Sequence, residues 1–163
     1  MGTRCGQLDP GVLLYLMDQE GMDSAAIADL LYKESGLLGL SGLSNDMREL
    51  MAADNPSARE AVDYFVFRIR RELGALAAAL GGLDALVFCG GIGENARAIR
   101  ARVCEGMGWI GIELDAARND ANGFELSSQF SRVRVLRIPT NEEIVIARAA
   151  AAHAGAARAS AAE

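Results

Sequence analysis

The sequence predicts an α/β fold in which several helices pack on a small sheet. Apolar residues make up 51% of the 163-residue chain, which is enough for a packed core. Several segments repeat their apolar residues at helical spacing, and two short runs have the composition of strands. Only 6% of the residues are aromatic and 18 are glycine, so we expect the helices to pack closely through small side chains.

The first part of the chain is predicted to be helical. One helix is expected at Gly11–Gln19, and a second begins after the cap Asp23 and ends at Gly36. The segment SGLLGLSGLSND is rich in Gly, Ser and Leu without a clear period, so it is predicted to be a loop that packs apolar side chains. Such a loop is a candidate wall of a binding site. A short helix is predicted at Arg48–Ala53.

The longest predicted helix begins at Pro56, after the cap Asn55, and reaches about Leu80. Gly81 and Gly82 are expected to stop it. Its apolar positions recur at i, i+4 spacing and predict a buried stripe: Ala61, Phe65, Ile69, Leu73 and Leu76.

Helices and strands alternate after this helix. The apolar run Asp84–Cys89 is typical of a buried parallel strand, and the alternating run Arg132–Ile138 predicts a strand with one face in water. Between them, helices are predicted from Asn95 to about Gly106 and at Asp115–Ala121. A last helix is predicted at Glu142–His153, followed by an alanine-rich tail that we expect to fray.

Charge and cysteine content restrict the partners and the location. A formal charge of -6 argues against a basic surface for nucleic acid or for an anionic membrane. The chain shows no signal segment and no apolar run near the ~20 residues of a membrane span. Three widely spaced cysteines without a C-x-x-C pair read as reduced thiols. We therefore expect a cytoplasmic protein without nucleic-acid or membrane partners.

A glycine-rich segment, Gly90-Gly91-Ile92-Gly93-Glu94-Asn95, lies between a predicted strand and a predicted helix. Glycines permit positive φ and a close approach of backbone to a ligand. The following helix would offer free N–H groups and the positive end of its dipole to a phosphate, and ligands of open α/β sheets gather at such strand ends. The segment is neither a Walker A loop nor a G-x-G-x-x-G motif. The structural alternative is a tight turn with Asn95 as a helix cap.

Six blocks in order are similar to the acetate kinase family: MGTRCGQLDPG, KESGLLGLSG, SNDMRE, LVFCGGIGENARAIR, GWIGIELDAARN and IPTNEEIVIAR. The resemblance covers the chain to about Gly155. It implies an actin/hexokinase-like (ribonuclease H-like) fold of two related domains that close over a nucleotide. It also implies reversible transfer of the γ-phosphoryl group of ATP to acetate, with Mg²⁺ as cofactor and ADP and acetyl phosphate as products.

The resemblance also implies that the chain is incomplete. Family members are more than twice as long, and this chain matches their second half. Residues 1–155 are then the C-terminal nucleotide-binding domain, whose first three strands lie before Met1, and residues 156–163 are a frayed tail. Helices pack on a truncated sheet, and the strand Ala85–Cys89 becomes an open edge. We expect a fragment with little or no activity alone, and a homodimer when full length.

Site residues follow from the matching positions. Arg4 corresponds to the family arginine that stabilises the transferring phosphoryl group, a role suited to a planar guanidinium. Asp46, Met47 and Arg48 match the segment that contacts the adenosine end, and Gly90–Asn95 match the phosphate and adenosine side of the nucleotide. Glu142 matches the magnesium-linked carboxylate, and one protein carboxylate suffices because Mg²⁺ keeps its waters.

Each of these residues also has a structural alternative. Arg4 reads as an ordinary surface arginine near a terminus. The segment NDMRE reads as a capped helix start with a solvated charge run. Glu142 reads as a negative charge that stabilises the first turn of the last helix, and both of its roles can hold at once.

The chain departs from the family pattern at a few positions. Cys5 and Gln7 stand where relatives often have serine and aspartate, and the loss of that aspartate weakens the assignment of Arg4. Cys89 replaces a common threonine, with little expected effect. The acetate pocket, a transition-state histidine and an aspartate near the attacking carboxylate belong to the family's first half. His153 is expected to be a solvated side chain.

Three other functions stay open. A propionate kinase is a near alternative, because the acid pocket lies outside the chain. A non-catalytic module that binds a nucleotide or a partner is a second, and a non-functional gene remnant is a third.

Overall fold

A computed structural model describes residues 2–160, with the side chains of Glu142, Ala152 and residues 154–160 excluded. The chain forms two compact units, one up to Gly82 and one from Leu83 onward. The first unit is helical over its described residues, and the second contains the sheet.

The helices of the first unit begin where the sequence offers caps. Their bounds are α1 Pro10–Asp18, α2 Ser24–Lys33, α3 Gly36–Ser41, α4 Met47–Ala52 and α5 Pro56–Leu80. The carboxylates of Asp9 and Asp23 and the side-chain oxygen of Asn55 accept hydrogen bonds from first-turn N–H groups, which otherwise have no partner. Gly81 ends α5 with φ 75°. The predicted α1, α2, α4 and α5 are thus confirmed to within a residue or two.

The predicted loop over residues 35–46 is wrong at Gly36–Ser41, which forms α3, and is confirmed at residues 42–46, which lie in neither a helix nor a strand. Gly36 has φ 65°, so it reverses the chain and starts a new helix at once. A Cβ on Gly39 would lie 2.5 Å from the carbonyl oxygen of Glu34, so only glycine allows α3 to pack this closely on the end of α2. Leu37 is buried, and α3 packs on α5.

Helix α5 carries the core of the first unit, in contact with α3 and α4. The predicted stripe is confirmed at Ala61, Phe65 and Leu73, which are buried. It is wrong at Leu76, which is 58% exposed. The buried face continues instead at Ala77, four residues after Leu73, because one residue of offset turns a side chain by about 100° around the helix.

A buried cation also lies on α5. Arg68 is 9% exposed, and its Nε has no hydrogen-bond partner. Its Nη1 donates to the Tyr64 hydroxyl at 3.3 Å, and its Nη2 donates to Gln7 Oε1 at 3.4 Å. Gln7 Oε1 also accepts from Arg71. One neutral amide oxygen thus accepts hydrogen bonds from two guanidinium groups. The buried charge of Arg68 is therefore only partly compensated.

A carboxylate at position 7 would compensate this charge better. We expect Gln7→Glu to raise the free energy of unfolding of the chain by about 0.5–1 kcal/mol at pH 7, since the pair is partly exposed. The gain should fade below about pH 4, where a glutamate is protonated. Urea unfolding at pH 7 and pH 3 measures both values. The control Gln129→Glu, on an exposed turn, should leave stability unchanged, and an equal gain in the control would contradict the account.

The second unit is built around two parallel strands. Its elements are β1 Ala85–Phe88, α6 Gly90–Asn95, α7 Arg97–Cys104, a 3₁₀ turn Gly108–Ile110, α8 Ala116–Asp120, β2 Arg134–Arg137 and α9 Glu142–Ser160. In the register of the sheet, Ala85 lies opposite Arg134 and Phe88 opposite Arg137. Both predicted strands are confirmed. Helix α9 continues past the predicted end at His153.

The core of this unit lies on β2. Val133 and Val135 are buried and Arg134 is exposed, as the alternation predicts. Leu136 departs from the alternation because it is also buried, and it forms an isolated bridge to Glu125. Within the described residues the sheet has two strands, so β1 has one edge that no described strand covers.

Candidate functional site

The segment that carries Arg4 is fixed by the backbone of its neighbours. The N–H of Cys5 donates to Leu31 O at 3.2 Å, and the Thr3 hydroxyl donates to Tyr32 O at 2.8 Å. The N–H of Ser35 donates to Thr3 O at 2.9 Å. The first two bonds satisfy carbonyl groups at the end of α2, which have no partner inside the helix. The backbone of Arg4 therefore has a defined position.

The side chain of Arg4 is exposed. Its guanidinium carbon lies 5.3 Å from the ring centroid of Tyr32, a cation–π contact worth about 0.5–1 kcal/mol at an exposed site. The Gln7 side-chain oxygen accepts hydrogen bonds from Arg68 and Arg71, so Gln7 contacts α5 in this chain. Arg4 is held by its own backbone and by Tyr32.

Asp46, Met47 and Arg48 form the start of α4. Asp46 is the N-cap and accepts from the N–H of Arg48 at 2.8 Å. Its carboxylate also accepts from Arg48 Nε at 3.1 Å and from Nη2 at 2.5 Å. These hydrogen bonds with Arg48 lower the pKa of Asp46 to about 2. Met47 is buried, so it anchors the segment, while the Arg48 side chain is 91% exposed.

The loop before α4 brings this segment beside the Arg4 segment. The Ser44 hydroxyl donates to Glu49 at 2.5 Å and accepts from the N–H of Asp46 at 3.0 Å. A Cβ on Gly2 would lie 3.5 Å from Asn45. Two predicted parts of the site are therefore close neighbours within the first unit. The capped-helix interpretation of NDMRE is confirmed, and a nucleotide contact is compatible with it.

Gly90–Asn95 is not the simple turn that the sequence predicts. The segment is itself the short helix α6, and α7 begins separately at Arg97. Gly90 has φ 70°, which lets the chain turn from β1 into α6 without the steric cost of a Cβ. Asn95 donates from Nδ2 to Gly91 O at 2.8 Å and does not cap α7, whose N-cap is Ala96. The sequence predicts a helix that follows the glycines and offers free N–H groups. In the structure the glycine-rich segment itself forms a short helix in that place.

Gly93 sets how close α6 lies to the sheet. A Cβ built on Gly93 would lie 3.3 Å from the carbonyl carbon of Phe88 and 3.6 Å from its Cβ. Backbone atoms cannot move away as a flexible side chain could, so a larger residue would push α6 off the end of β1.

Glu94 joins two segments that are 46 residues apart in sequence. Its Oε1 accepts from the N–H and the hydroxyl of Thr140, both at 2.8 Å, and from the N–H of Gly90 at 2.9 Å. These hydrogen bonds lower the pKa of Glu94 because they stabilise its charged form. The bond from the Thr140 N–H has the largest effect. The structure thereby brings the glycine-rich segment beside the PTNEE segment.

Glu142 is the first residue of α9, two residues after Thr140. The Asn141 side-chain oxygen accepts from the N–H of Ile144 at 3.0 Å, so Asn141 caps this helix. The side chain of Glu142 lies outside the described residues. Among the described side chains, no group of three His, Cys, Asp or Glu residues could hold a metal ion. A magnesium site here fits only the type in which one carboxylate joins water and phosphate ligands.

The charge of Glu94 should make stability depend on pH. Its pKa is lower in the folded chain, so its contribution is present above the unfolded value of about 4.3 and is lost as the pH falls through the folded pKa. We expect Glu94→Gln to unfold more easily than the parent at pH 7, and the difference should shrink as the pH falls through the folded pKa of Glu94.

Urea unfolding at a series of pH values measures this difference. The control Glu60→Gln, exposed on α5, should follow the parent at every pH. A constant difference between Glu94→Gln and the parent from pH 7 to pH 2 would rule out the ionic contribution.

One residue of the site region was not singled out in the sequence. Arg100 on α7 is 0% exposed and donates to the carbonyl oxygens of Gly93 and Glu94, both at 2.9 Å. Burial lowers its pKa. A signal was available, because Arg100 shares the helical face of the buried Val103 and Cys104. An arginine on an apolar face indicates a cation with internal partners.

The sequence profile of the acetokinase family matches residues 1–148. The acetate kinase of Methylocella silvestris is 68% identical over 148 residues, which cover 91% of this chain and 37% of that protein. The chain thus spans little more than a third of the length of this curated relative.

Solved structures match as well. The crystal structure of Porphyromonas gingivalis acetate kinase has a TM-score of 0.85 at 45% identity and covers 91% of this chain and 39% of that one. A propionate kinase from Francisella tularensis has a TM-score of 0.83 at 37% identity and covers 90% and 38%. The predicted fold class is confirmed: the chain is part of an actin/hexokinase-like fold, helix-rich with a small parallel sheet. No helix in residues 2–160 is long and apolar enough to span a bilayer.

Proposed function

The chain belongs to the acetokinase family, and from this premise we propose that it is the nucleotide-binding part of a kinase acting on acetate. The reaction transfers the γ-phosphoryl group of ATP to a carboxylate oxygen of acetate and yields ADP and acetyl phosphate. The observation that carries the proposal is the bond from Thr140 to Glu94 at 2.8 Å. It holds the glycine-rich segment beside the start of α9, where the proposed metal-linked carboxylate is attached.

We assign the nucleotide to two segments of the chain. Gly90–Asn95 contacts the phosphate and adenosine side, and Asp46–Arg48 contacts the adenosine end. Three features support these segments as rigid binding elements: the close packing of Gly93 on Phe88, the buried anchor Met47 and the bonds of Glu94. Preformed backbone lowers the entropic cost of binding.

We assign the transferring phosphoryl group to Arg4. A guanidinium donates several hydrogen bonds in a plane and therefore suits the equatorial oxygens, over which charge spreads in the transition state. The guanidinium lies over Tyr32 and is exposed, which leaves it accessible to a phosphoryl group. Catalysis is then alignment and charge neutralisation, without a covalent protein nucleophile.

We assign Mg²⁺ to Glu142. The bound ion supplies charge neutralisation at the phosphates of the nucleotide. Glu142 would hold it together with water and phosphate oxygens, and the cap Asn141 together with the Thr140–Glu94 bonds would orient the first turn of α9. Glu94 itself then acts through Thr140 as a positioning residue.

The proposal is tested with a chimeric enzyme, in which residues 1–148 of this chain replace the matching part of the Methylocella silvestris acetate kinase. We expect acetyl phosphate formation within about tenfold of the parent kinase, since the two sequences are 68% identical in this region. The isolated chain should form none, because the acid-binding residues of the family lie in the other half. A folded chimera without turnover would contradict the proposal, and so would steady turnover by the isolated chain.

A second candidate is a kinase for propionate. The propionate kinase from Francisella tularensis matches the chain almost as well in structure as the acetate kinase does, and the acid pocket of the family lies outside this chain. The protein in which the chain naturally occurs, joined to its own acid-binding half, should prefer acetate in kcat/KM. A clearly higher kcat/KM for propionate would make propionate the proposed substrate and would leave the nucleotide assignments unchanged.

We also propose that the complete protein is a cytoplasmic homodimer. Helix α1 supports this proposal because it has no buried residue in the chain. Its apolar side chains Leu14, Tyr15 and Met17 are each more than half exposed, so a partner would cover them in the complete protein. Sedimentation of the chimeric enzyme should give the mass of two chains, and a monomer at micromolar concentration would contradict the proposal.

A further inference from the structure

Arg100 is a fully buried cation whose hydrogen bonds to the described residues all go to neutral acceptors. Nε donates to Asn119 Oδ1 at 2.8 Å, and Nη1 donates to Gly93 O and Glu94 O at 2.9 Å each. Nη2 donates to Asn119 O at 3.2 Å and to Asn122 Oδ1 at 2.7 Å. A buried guanidinium without a carboxylate partner is costly to keep. Its hydrogen bonds must therefore fix the positions of the groups that accept them, which an apolar leucine or methionine at this position would not do.

Two of its acceptors lie at the end of α6. The carbonyl groups of Gly93 and Glu94 belong to the last turn of this six-residue helix, where carbonyls lack partners within the helix and carry partial negative charge. A helix this short is not stable by propensity alone. Arg100 therefore stabilises the C-terminal end of α6, while Glu94 binds the Gly90 N–H at the other end.

The other acceptors fix Arg100 itself. Asn119 is buried on α8, and its Nδ2 donates to Arg97 O at 3.2 Å, so it bonds both the backbone and the side chain of α7. Asn122 adopts φ 56°, the one non-glycine residue with positive φ among the described residues. Asparagine tolerates this conformation better than most residues, and here it brings Oδ1 to Arg100. The guanidinium is thus held from α8 at a fixed position.

We infer that Arg100 is a positioning residue for the nucleotide-binding segment Gly90–Asn95, acting through the Gly93 and Glu94 carbonyls and held by Asn119 and Asn122. Because its side chain is fully buried, this role acts through the backbone of α6 and not through a contact with the nucleotide. It fixes where the backbone of α6 lies and so determines how well a nucleoside diphosphate fits. The ligand part of this inference rests on the proposed function, whereas the positioning of α6 does not.

A purely structural role is the competing explanation. In that case Arg100 only adds to global stability, and its replacement lowers the unfolding temperature without a selective effect on α6. Positioning predicts a local effect instead: faster amide exchange at residues 90–95 than in β2 of the same variant, and weaker binding of Mg-ADP at a temperature where the variant is folded.

The test uses the full 163-residue chain and two variants of graded severity. Arg100→Lys keeps the charge but loses the planar fork of donors. Asn122→Gly removes one acceptor while glycine accepts the positive φ without strain, so this variant decides the outcome if Arg100→Lys does not fold. Arg97→Lys, exposed on the same helix, is the matched control.

We expect Arg100→Lys to raise the dissociation constant for Mg-ADP about tenfold and Asn122→Gly about threefold, as misplacement of a binding segment does. Amide exchange at residues 90–95 should accelerate in both variants, and Arg97→Lys should match the parent. Parent-like exchange at 90–95 in the folded variants would overturn the inference. If the parent chain itself binds no Mg-ADP, the nucleotide assignment fails, and exchange at 90–95 alone still decides whether Arg100 positions α6.

Discussion

Arg4→Ala lowers kcat of the chimeric enzyme by about 10³-fold or more, with a much smaller change in KM for ATP. The reason is that the proposed bonds of the guanidinium strengthen as charge develops on the transferring phosphoryl group, so their loss falls on the transition state. Arg4→Lys should recover little of the rate, because an ammonium group cannot donate in the planar pattern of a guanidinium. Steady-state rates of acetyl phosphate formation measure both effects.

The structure separates this loss of rate from a loss of stability. The Arg4 side chain is exposed and contacts the ring of Tyr32, so its removal should change the free energy of unfolding by no more than about 1 kcal/mol. Arg59→Ala is a suitable control, since Arg59 is exposed and pairs with the exposed Asp54 at 2.9 Å. If Arg4→Ala and Arg59→Ala had the same kcat, Arg4 would be the ordinary surface arginine of the structural alternative.

Glu142→Gln lowers kcat of the chimeric enzyme by about 10²-fold and raises the Mg²⁺ concentration needed for half-maximal rate about tenfold. The amide keeps the shape of the side chain but loses the negative charge that suits a hard divalent cation. Rates measured across a series of Mg²⁺ concentrations at saturating acetate separate the two effects. Part of the loss in rate should be recovered at high Mg²⁺.

The neighbouring Glu143 supplies a matched control. It lies beside Glu142 in the first turn of α9 and is exposed, so Glu143→Gln changes the same charge at the same helix end. If both substitutions had small and equal effects, the carboxylates would only interact with the helix dipole. A selective effect of Glu142→Gln on the Mg²⁺ requirement supports its assignment as metal ligand.

The long helix α5 and the two strands were easier to predict than the points at which one helix ends and the next begins. Helix α5 is predictable because an asparagine cap, a proline in the first turn and a terminal glycine agree with its apolar spacing. Strand β1 is predictable from its short apolar run, and β2 is predictable from the alternation of its apolar and polar residues. Gly36 misleads because a glycine with φ 65° can end one helix and start the next without a loop between them.

The resemblance of six blocks to one family indicated the segments of the candidate site but not the contacts between them. The structure brings two of these segments together through Glu94 and Thr140. The two residues of that contact are 46 positions apart in sequence. The contact therefore depends on the pairing of β1 with β2, which local sequence patterns do not predict. Gly90–Asn95 forms a helix despite three glycines because Arg100 and Glu94 bond its two ends, which are tertiary interactions that override propensity.

The most direct test of the account is a calorimetric titration of the isolated 163-residue chain with Mg-ADP, preceded by a check that the chain unfolds cooperatively. We predict saturable binding of one nucleotide per chain with a dissociation constant between about 1 μM and 1 mM, and weaker binding by Glu142→Gln. Binding without turnover in the chimeric enzyme would favour a non-catalytic nucleotide module. A cooperatively folded chain that shows no saturable heat up to about 10 mM Mg-ADP would contradict the claim that it binds a nucleotide.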